Sequence, residues 1–319
     1  MPEGSTRGAA GIAAGVAAIG NRLGPALCRT PVPQSPEPAA GVLYLVGTPI
    51  GNLGDLSPRA RQVLAGVQRI ACEDTRRSGL LLHQLGLRSA EGGARLVSFH
   101  QHNQVSRIPE LLAALAAGEA VAVISDAGLP GISDPGEELV AAARSAGHDV
   151  ICVPGPSAVT TALVSSGLPC GRFCFEGFLP ARAGQRRARL QELAGERRTV
   201  VLYEAPHRLL ALLADLLELL GDRPLRVARE LTKRHEEQVG PSVSAALDHF
   251  RRRPPQGECT LVLGGAPEPE PTSWDGASLR AELQELVAAG LGSKEATRQL
   301  AERSGHSARE LYALLHQAE

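Results

Sequence analysis

Three loops rich in glycine and proline carry the residue types best suited to holding a small ligand. Residues 47–55 read GTPIGNLGD, residues 125–136 read SDAGLPGISDPG and residues 153–158 read VPGPSA. Each loop lies at the end of a short apolar run of the kind that forms a buried strand. Glycine lets backbone N–H and C=O groups approach a ligand closely, and proline stiffens the turn. Each loop alone is also typical of a structural turn, but three of them at strand ends favour a ligand site.

The sequence lacks two motifs that bind the phosphates of nucleotides, and this restricts the class of ligand. It contains neither the GxxxxGK[ST] phosphate loop nor the GxGxxG dinucleotide fingerprint. A nucleotide-like ligand without phosphates is therefore favoured, and S-adenosylmethionine is such a ligand. It requires carbonyl and carboxylate acceptors for its adenine amine, ribose and amino group, and an apolar wall near its sulfonium.

Histidine and cysteine give little indication of a metal. His100 and His102 are two residues apart, so they alternate faces on an extended chain and lack a third ligand. The six cysteines do not form two CxxC pairs at metal-ligand spacing, which favours reduced thiols in a cytoplasmic protein. No apolar run reaches the ~18 residues that a membrane span needs. The sequence therefore predicts a cytoplasmic protein without a metal site.

The elements that must position these loops alternate between strand and helix. The pattern over residues 42–165 predicts a mostly parallel sheet covered by helices on both faces. A second alternating segment runs over residues 173–263, and three helical patterns follow at 279–289, 294–303 and 308–316. The last two are spaced like a helix–turn–helix. The predicted organisation is a disordered extension (1–40), two α/β domains (41–166 and 167–265), a linker (266–275) and a helical unit (276–319).

Overall composition argues against a general nucleic-acid binder. The chain has 319 residues, a formal net charge of −1 and 3% aromatic residues, too few for a base-stacking platform. Any contact with nucleic acid would need a local basic face. Two arginine clusters could form such a face or could simply be solvated helix faces. They are Arg182, Arg186, Arg187 and Arg189, and Arg251 to Arg253.

Nine stretches of this sequence resemble the tetrapyrrole methylase superfamily, the class III methyltransferases, and within it the branch that modifies small-subunit ribosomal RNA. They read LYLVGTPIGNLGDLSPRA, ACEDTRRSGLLL, SFHQHNQ, VISDAGLPGISDPG, VPGPSAVTTAL, GLPCGRFCFEGFLP, YEAPHRL, RELTKRHEE and GECTLVL. They occur in family order over residues 42–264. One departure is Leu129, where the family usually has Thr after SDAG.

The resemblance implies two αβα domains with a cleft between them and S-adenosylmethionine folded in that cleft. It also implies a homodimer whose partner is the 30S subunit, with methylation of the ribose 2′-oxygen of a decoding-centre cytidine in 16S rRNA. Carried over motif by motif, the expected cofactor-binding residues are Pro49, Ile50, Asp126, Ala127, Gly128, Ile132, Ser157, Ala158, Tyr203, Glu204 and Leu231.

Methyl transfer to oxygen is an in-line displacement that depends on placing the acceptor in near-attack geometry. A ribose hydroxyl is a weak acid, so a proton acceptor should assist. The carboxylates considered for this role are Glu73, Asp74 and Glu230, and the residues do not single out one of them. Arg76 and Lys233 are the expected phosphate contacts or stabilisers of developing negative charge.

Three rival functions stay open from the residues alone. A class III methylase acting on a small molecule such as a tetrapyrrole would share the cofactor site but need a large apolar pocket. A non-catalytic RNA-binding or assembly factor could keep the fold without binding the cofactor. A nucleotide-dependent oxidoreductase is disfavoured because GxGxxG is missing.

Overall fold

The computed structural model describes residues 38–87, 93–268 and 274–316. Most of the predicted N-terminal extension, and half of the predicted linker at residues 269–273, lie outside the described residues. The described chain divides into two compact units, the first ending at Gly265 and the second comprising Ala266–Glu319. No described helix is both long and apolar enough to cross a membrane.

The first sheet is parallel throughout and has the strand order β3-β2-β4-β1-β5. Its strands are β1 (Leu43–Val46), β2 (Arg69–Cys72), β3 (Arg95–Ser98), β4 (Val121–Ile124) and β5 (Val150–Val153). Because β1 pairs with both β4 and β5, the loops that follow these three strands meet at one edge. The prediction of a parallel sheet is confirmed.

Helices cover both faces of this sheet. They are α1 (Pro58–Gly66), α2 (Thr75–Gln84), α3 (Gln104–Ala116) and α4 (Glu137–Ser145). The Ser57 hydroxyl accepts a hydrogen bond from Ala60 N at 3.0 Å and caps α1, with Pro58 as its first residue. Successive residues of β1 point to opposite faces of the sheet and enter different cores. Leu43 packs beside α3 and α4, and Tyr44 packs beside α1.

The second sheet is mixed, with the strand order β6-β7-β10-β8-β9. Its strands are β6 (Phe173–Phe178), β7 (Thr199–Glu204), β8 (Leu225–Arg229), β9 (Glu237–Val239) and β10 (Cys259–Leu263). Strand β10 is antiparallel to both β7 and β8, so β7 and β8 run in the same direction and end at the same edge. Strand β9 has only three residues, and its EQV sequence carries no alternating pattern that would have predicted it.

Helix α5 (Ala158–Ser165) joins the two sheets. Its Val159 and Leu163 share a core cluster with Val201 of β7 and Val262 of β10. The opposite face of the second sheet is covered by α6 (Ala183–Glu192), α7 (Pro206–Leu220) and α8 (Val243–Arg252). The helix that ends the first predicted domain thus packs on the second sheet, which explains why both sheets lie within one compact unit.

The C-terminal unit contains α9 (Gly276–Ala288), α10 (Ser293–Ser304) and α11 (Ala308–His316). Its own small core is formed by Leu279, Leu283, Ala296, Leu300 and Leu311. Asp275 caps α9 through a hydrogen bond from Ser278 N of 2.7 Å, and Gly305 ends α10 in a left-handed conformation. The three predicted helices are therefore present.

Candidate functional site

A cavity of about 290 Å³ lies where the loop edge of the first sheet faces the ends of β7 and β8. Thirteen of the residues singled out from the sequence line it: Ile50, Glu73, Asp126, Ala127, Gly128, Ile132, Ser157, Ala158, Tyr203, Glu204, Glu230, Leu231 and Lys233. The three glycine- and proline-rich loops therefore converge with two segments of the second sheet. Among the predicted cofactor-binding residues, Pro49 lines a smaller neighbouring cavity instead.

The first two loops are held together by a short antiparallel bridge. Thr48 N donates to Gly128 O at 2.9 Å, and Gly128 N donates to Thr48 O at 3.2 Å. The fully buried Thr48 hydroxyl lies 3.2 Å from Ser125 O. Gly128 has φ +90°, a left-handed conformation that glycine adopts without steric cost. This bridge fixes the loop that carries Asp126 against the loop that carries Ile50.

The first and third loops pack backbone against backbone. A Cβ atom built on Gly155 would lie 2.8 Å from Gly47 Cα, and one built on Gly47 would lie 2.7 Å from Gly155 Cα. Both positions therefore require glycine. The close approach brings the start of α5 to the cavity.

The segment after β8 closes the cavity from the second sheet. A Cβ on Gly51 would lie 2.5 Å from Lys233 Cγ and 3.0 Å from Leu231 O, so the first loop touches this segment directly. Glu230 and Thr232 have φ +52° and +65°, unusual for residues with side chains. Such strained backbone is concentrated at functional sites. Lys233 Nζ pairs with Glu230 Oε1 at 2.9 Å.

Acidic side chains dominate the cavity wall. The lining carboxylates are Glu73, Asp126, Asp134, Glu204, Glu230 and Glu258, whereas the lining cations are Arg77 and Lys233. The excess of carboxylates gives the site a negative potential, which attracts a cation. The charge of the wall therefore suits a positively charged ligand and opposes a polyanionic one.

Two buried carboxylate oxygens in this wall have no hydrogen-bond partner among the described residues. They are Asp126 Oδ1 and Glu204 Oε2. The other oxygens of these groups are engaged, since Asp126 Oδ2 accepts from Arg77 at 3.0 Å and Glu204 Oε1 accepts from Ala205 N at 2.9 Å. Burial raises the pKa of Glu204. An unpaired buried acceptor is costly, so these atoms point to a donor supplied by a ligand.

Asp134 is a cavity residue that sequence reasoning did not single out. Burial, followed by the charge of Glu73, raises the pKa of its carboxyl to about 6. It follows Ser133, whose backbone is left-handed at φ +59°. The second Asp of the SDAGLPGISDPG loop was visible in the sequence, but a turn accounts for an Asp before Pro equally well.

An aromatic cluster borders the cavity on the second sheet. The Tyr203 ring lies 5.0 Å from that of Phe175 and 5.4 Å from that of Phe178, between ring centroids. Burial raises the pKa of Tyr203 to about 12, so its phenol stays protonated. Phe178 is 53% exposed although it lines the cavity, which leaves an apolar surface at the entrance.

Two of the predicted catalytic residues lie outside both cavities. Asp74 caps α2 by accepting from Arg76 N at 2.8 Å, and it pairs with the Arg76 guanidinium at 2.8 Å. The Arg76 hydrogen bond holds the pKa of the Asp74 carboxyl well below its usual range. The structure thus places this pair at the start of α2, next to the cavity residues Glu73 and Arg77.

The arginine cluster on α6 is largely engaged in ion pairs. Arg186 pairs with Asp215 at 2.7 Å, and the two side chains are only 8% and 12% exposed. Arg187 pairs with Asp215 and Glu218, and Arg189 pairs with Glu176 and Glu192. These pairs fix α6 to its neighbours, which favours the structural interpretation of the cluster.

Comparison with known proteins agrees with this architecture. The family model of the tetrapyrrole (corrin/porphyrin) methylases matches residues 42–247. Ribosomal RNA small subunit methyltransferase I of Synechocystis sp. is 50% identical over 86% of this chain and 97% of the relative. The protein of the same name from Thermotoga maritima is 47% identical over 70% of this chain and 99% of the relative.

Among solved structures, uroporphyrin-III-C-methyltransferase from Thermus thermophilus superposes with a TM-score of 0.50 at 25% identity. That match covers 70% of this chain and 94% of the other. The parallel sheet, the mixed sheet and the cavity between their edges thus define a methyltransferase of the tetrapyrrole methylase type. Within that class, the chain belongs to the ribosomal RNA small subunit methyltransferase I family.

Proposed function

We propose that this enzyme transfers the methyl group of S-adenosylmethionine to the ribose 2′-oxygen of a cytidine in 16S rRNA of the 30S subunit. The observation that supports it best is the acidic cavity between the two sheet edges, with two buried carboxylate oxygens that no described residue hydrogen-bonds. The relatives at 50% and 47% identity, which are named for small-subunit ribosomal RNA, support the choice of RNA as substrate.

The cavity suits S-adenosylmethionine in size, charge and polarity. Its volume of about 290 Å³ is close to the lower limit of small-molecule sites, which is about 300 Å³. The cofactor carries a sulfonium and an ammonium, and the carboxylates of the wall complement both. Asp126 Oδ1 and Glu204 Oε2 are free to accept hydrogen bonds from it. Ile50, Ile132 and Leu231 offer the apolar wall that the sulfonium needs.

Proton removal from the ribose hydroxyl is assigned to Asp134 in this proposal. A carboxylate with a pKa near 6 is a better base at neutral pH than one of ordinary pKa. Glu230 stays the second candidate, although its Oε1 is engaged by Lys233 Nζ at 2.9 Å. Asp74 is proposed to organise the start of α2, because its carboxylate is committed to Arg76.

RNA phosphates are proposed to contact basic residues at the cavity rim. The side chains of Arg76, Arg77 and Lys233 are 90%, 75% and 40% exposed. They come from opposite sheets, since α2 follows β2 and Lys233 follows β8. A rim of this kind neutralises phosphate locally, although the whole chain has a net charge of −1.

A homodimer and a cytoplasmic location are also part of the proposal. The dimer rests on the resemblance to the family, and light scattering of the purified protein tests it. The location follows from a ribosomal substrate. The small-molecule alternative is less well supported, because a tetrapyrrole bearing carboxylates would meet the acidic wall of the cavity.

The decisive experiment supplies labelled S-adenosylmethionine and purified enzyme to 30S subunits from a strain deleted for this gene. The RNA is then digested and its methylated nucleosides are identified. Labelled 2′-O-methylcytidine from 16S rRNA is the expected product. Measurable cofactor binding without label in RNA would refute the RNA substrate and leave a methyltransferase with another acceptor.

A further inference from the structure

The side chain of Phe178 is an exposed aromatic ring in the wall of the cavity proposed for the cofactor. It lies at the end of β6 and is 53% exposed. Aromatic residues are scarce in this chain, which has five Phe, three Tyr and one Trp. Contact between water and a large apolar ring is unfavourable, so such a ring is usually buried. Its place at the mouth of a cavity therefore favours a role in binding.

A β-bulge in β6 turns this ring towards the cavity. Phe175 pairs with Val201 of β7 and Phe178 pairs with Tyr203, with a register shift between Phe175 and Gly177. Side chains alternate between the faces of a sheet, so without the extra residue Phe178 would point to the opposite face, which α6, α7 and α8 cover. With the bulge, Phe178 shares the face of Phe175 and Tyr203. Bulges that redirect a side chain are common beside active sites.

The Phe178 ring is held in position by its surroundings. Its centroid lies 5.4 Å from that of Tyr203, with the two ring planes tilted by 54°. The next residue, Leu179, is buried in the core beneath α6 and α7. Arg208 Nη2 donates to Leu179 O at 2.6 Å and to Pro180 O at 3.3 Å, which fixes the backbone that follows. A ring fixed in advance binds a ligand at a lower entropic cost than a mobile one.

The same segment places Phe178 beside Asp134, the proposed proton acceptor. A Cβ atom on Gly177, which has φ +62°, would lie 3.2 Å from Ser133 Oγ, so the residues that precede Phe178 and Asp134 approach each other closely. Tyr203 also connects the two. It packs against Phe178, and the charge of Asp134 adds to the effect of burial in raising the pKa of its phenol. The apolar ring and the carboxylate are therefore neighbours in the cavity wall.

We propose that Phe178 stacks against the base of the acceptor nucleotide and thereby places its ribose at Asp134. The inference rests on the proposed methylation of RNA and adds a substrate-binding residue to it. Unstacked bases commonly pack against aromatic side chains, and every base has a face that allows this. The acidic wall opposes phosphate, so the neutral base and ribose are the parts of the RNA that suit the cavity entrance. The adjoining phosphates stay at the basic rim formed by Arg76, Arg77 and Lys233.

A single ring is sufficient for this contact. The low aromatic content argues against a platform for successive bases, whereas one stacked nucleotide needs one ring. Stacking engages the face of the base and leaves its edges unread, so the role of Phe178 is to position the nucleotide and not to select cytosine. The carbon that carries the 2′-oxygen is bonded to the carbon that carries the base. A base held at Phe178 therefore keeps the 2′-oxygen close to the neighbouring Asp134.

The test measures methyl transfer to 30S subunits from the deletion strain by wild type, Phe178→Leu and Phe178→Tyr. Leucine keeps an apolar side chain without a ring, and tyrosine keeps the ring. We expect Phe178→Leu to lower kcat/KM for 30S subunits by about 10- to 100-fold, the range for one base–aromatic stack, and Phe178→Tyr to stay within about 3-fold of wild type. The affinity of both variants for S-adenosylmethionine, measured by calorimetry, should match that of wild type. Phe173→Leu is the matched control, because Phe173 is a partly exposed Phe at the other end of β6 and lines neither cavity.

The outcomes separate this inference from the function on which it rests. If wild type does not methylate 30S RNA, the proposed substrate is wrong, and the inference with it. If wild type is active and Phe178→Leu is equally active, the stack is refuted while the substrate stands. A fall in cofactor affinity that matches the loss of activity would assign the ring to the cofactor instead. An equal loss in Phe178→Tyr would also refute the stack, because the ring is still present. Urea unfolding checks that both variants keep the stability of a folded protein.

Discussion

Arg77 Nη1 donates a hydrogen bond of 3.0 Å to Asp126 Oδ2, linking the start of α2 to the loop after β4. The two residues lie 49 positions apart in sequence. Their pairing orients the Asp126 carboxylate so that one oxygen is held and the other is buried without a partner among the described residues. Because both residues line both cavities, this contact forms the border between the cavity proposed for the cofactor and its smaller neighbour.

Asp126→Asn should weaken binding of S-adenosylmethionine by about 10-fold or more, because a hydrogen bond to a charged group contributes roughly 1.5–3 kcal/mol. The substitution keeps the shape of the side chain and removes its charge. Isothermal titration calorimetry measures the affinity. Asp248→Asn is the control, since Asp248 is 63% exposed on α8. Unchanged affinity in Asp126→Asn would remove this carboxylate from the cofactor site.

Gly155→Ala should destabilise the protein by about 1–3 kcal/mol, the usual range for overpacking. The added methyl would lie 2.8 Å from Gly47 Cα and 2.9 Å from Gly47 O, so the backbones of the first and third loops must separate. Cofactor affinity should fall as well. Urea unfolding measures the stability change. Gly184→Ala in α6 is a matched control, because its Cβ would meet nothing within 4 Å.

Arg186→Ala should lower the free energy of unfolding by about 1.5–3 kcal/mol, since it removes a buried charged hydrogen bond and leaves Asp215 with Arg187 as its partner. Arg182→Ala, a change of an exposed residue at the start of the same helix, should have little effect. Urea unfolding of both variants distinguishes a structural arginine from an RNA contact. Wild-type stability in Arg186→Ala, combined with weakened binding to 30S subunits, would favour the RNA-binding interpretation instead.

Most of the fold could be predicted because each element carries its own local pattern. The strands lie within the two segments, residues 42–165 and 173–263, whose strand–helix alternation predicts them, since short apolar runs are bounded there by polar or glycine residues. Strand β9 could not be predicted, because its three residues of mixed polarity are placed by tertiary contacts, namely pairing with β8 and burial of Val239. The packing of α5 on the second sheet was equally hidden, since an apolar helix face does not specify its partner.

The sequence predicted the parts of the site that depend on loop position and on residue type. The convergence of Asp126, Ser157 and Glu230 on one cavity follows from topology, and the loop positions indicated it. Asp134 was missed because its raised pKa arises from burial and from Glu73, a residue 61 positions away whose proximity no local pattern encodes.

Asp134→Asn should make the protein more stable than wild type at pH 8, by about 1–2 kcal/mol after allowance for partial exposure. Burial and Glu73 raise the folded-state pKa of Asp134 to about 6, above its unfolded value. The folded state therefore binds this proton more tightly. The resulting stabilisation is complete below about pH 4 and is lost as the pH rises through 6. Urea unfolding at pH 5 and pH 8 measures the difference between the two proteins.

The same substitution should lower kcat by about 100-fold or more, because Asp134 is proposed to accept the ribose proton. In wild type, methyl transfer to 30S subunits should rise with pH through about 6 and then level, since only the ionised carboxylate is a base. Asp134→Asn should lose that acidic limb while keeping its affinity for S-adenosylmethionine. Retention of the limb in the variant, with Glu230→Gln abolishing it, would transfer the role of base to Glu230.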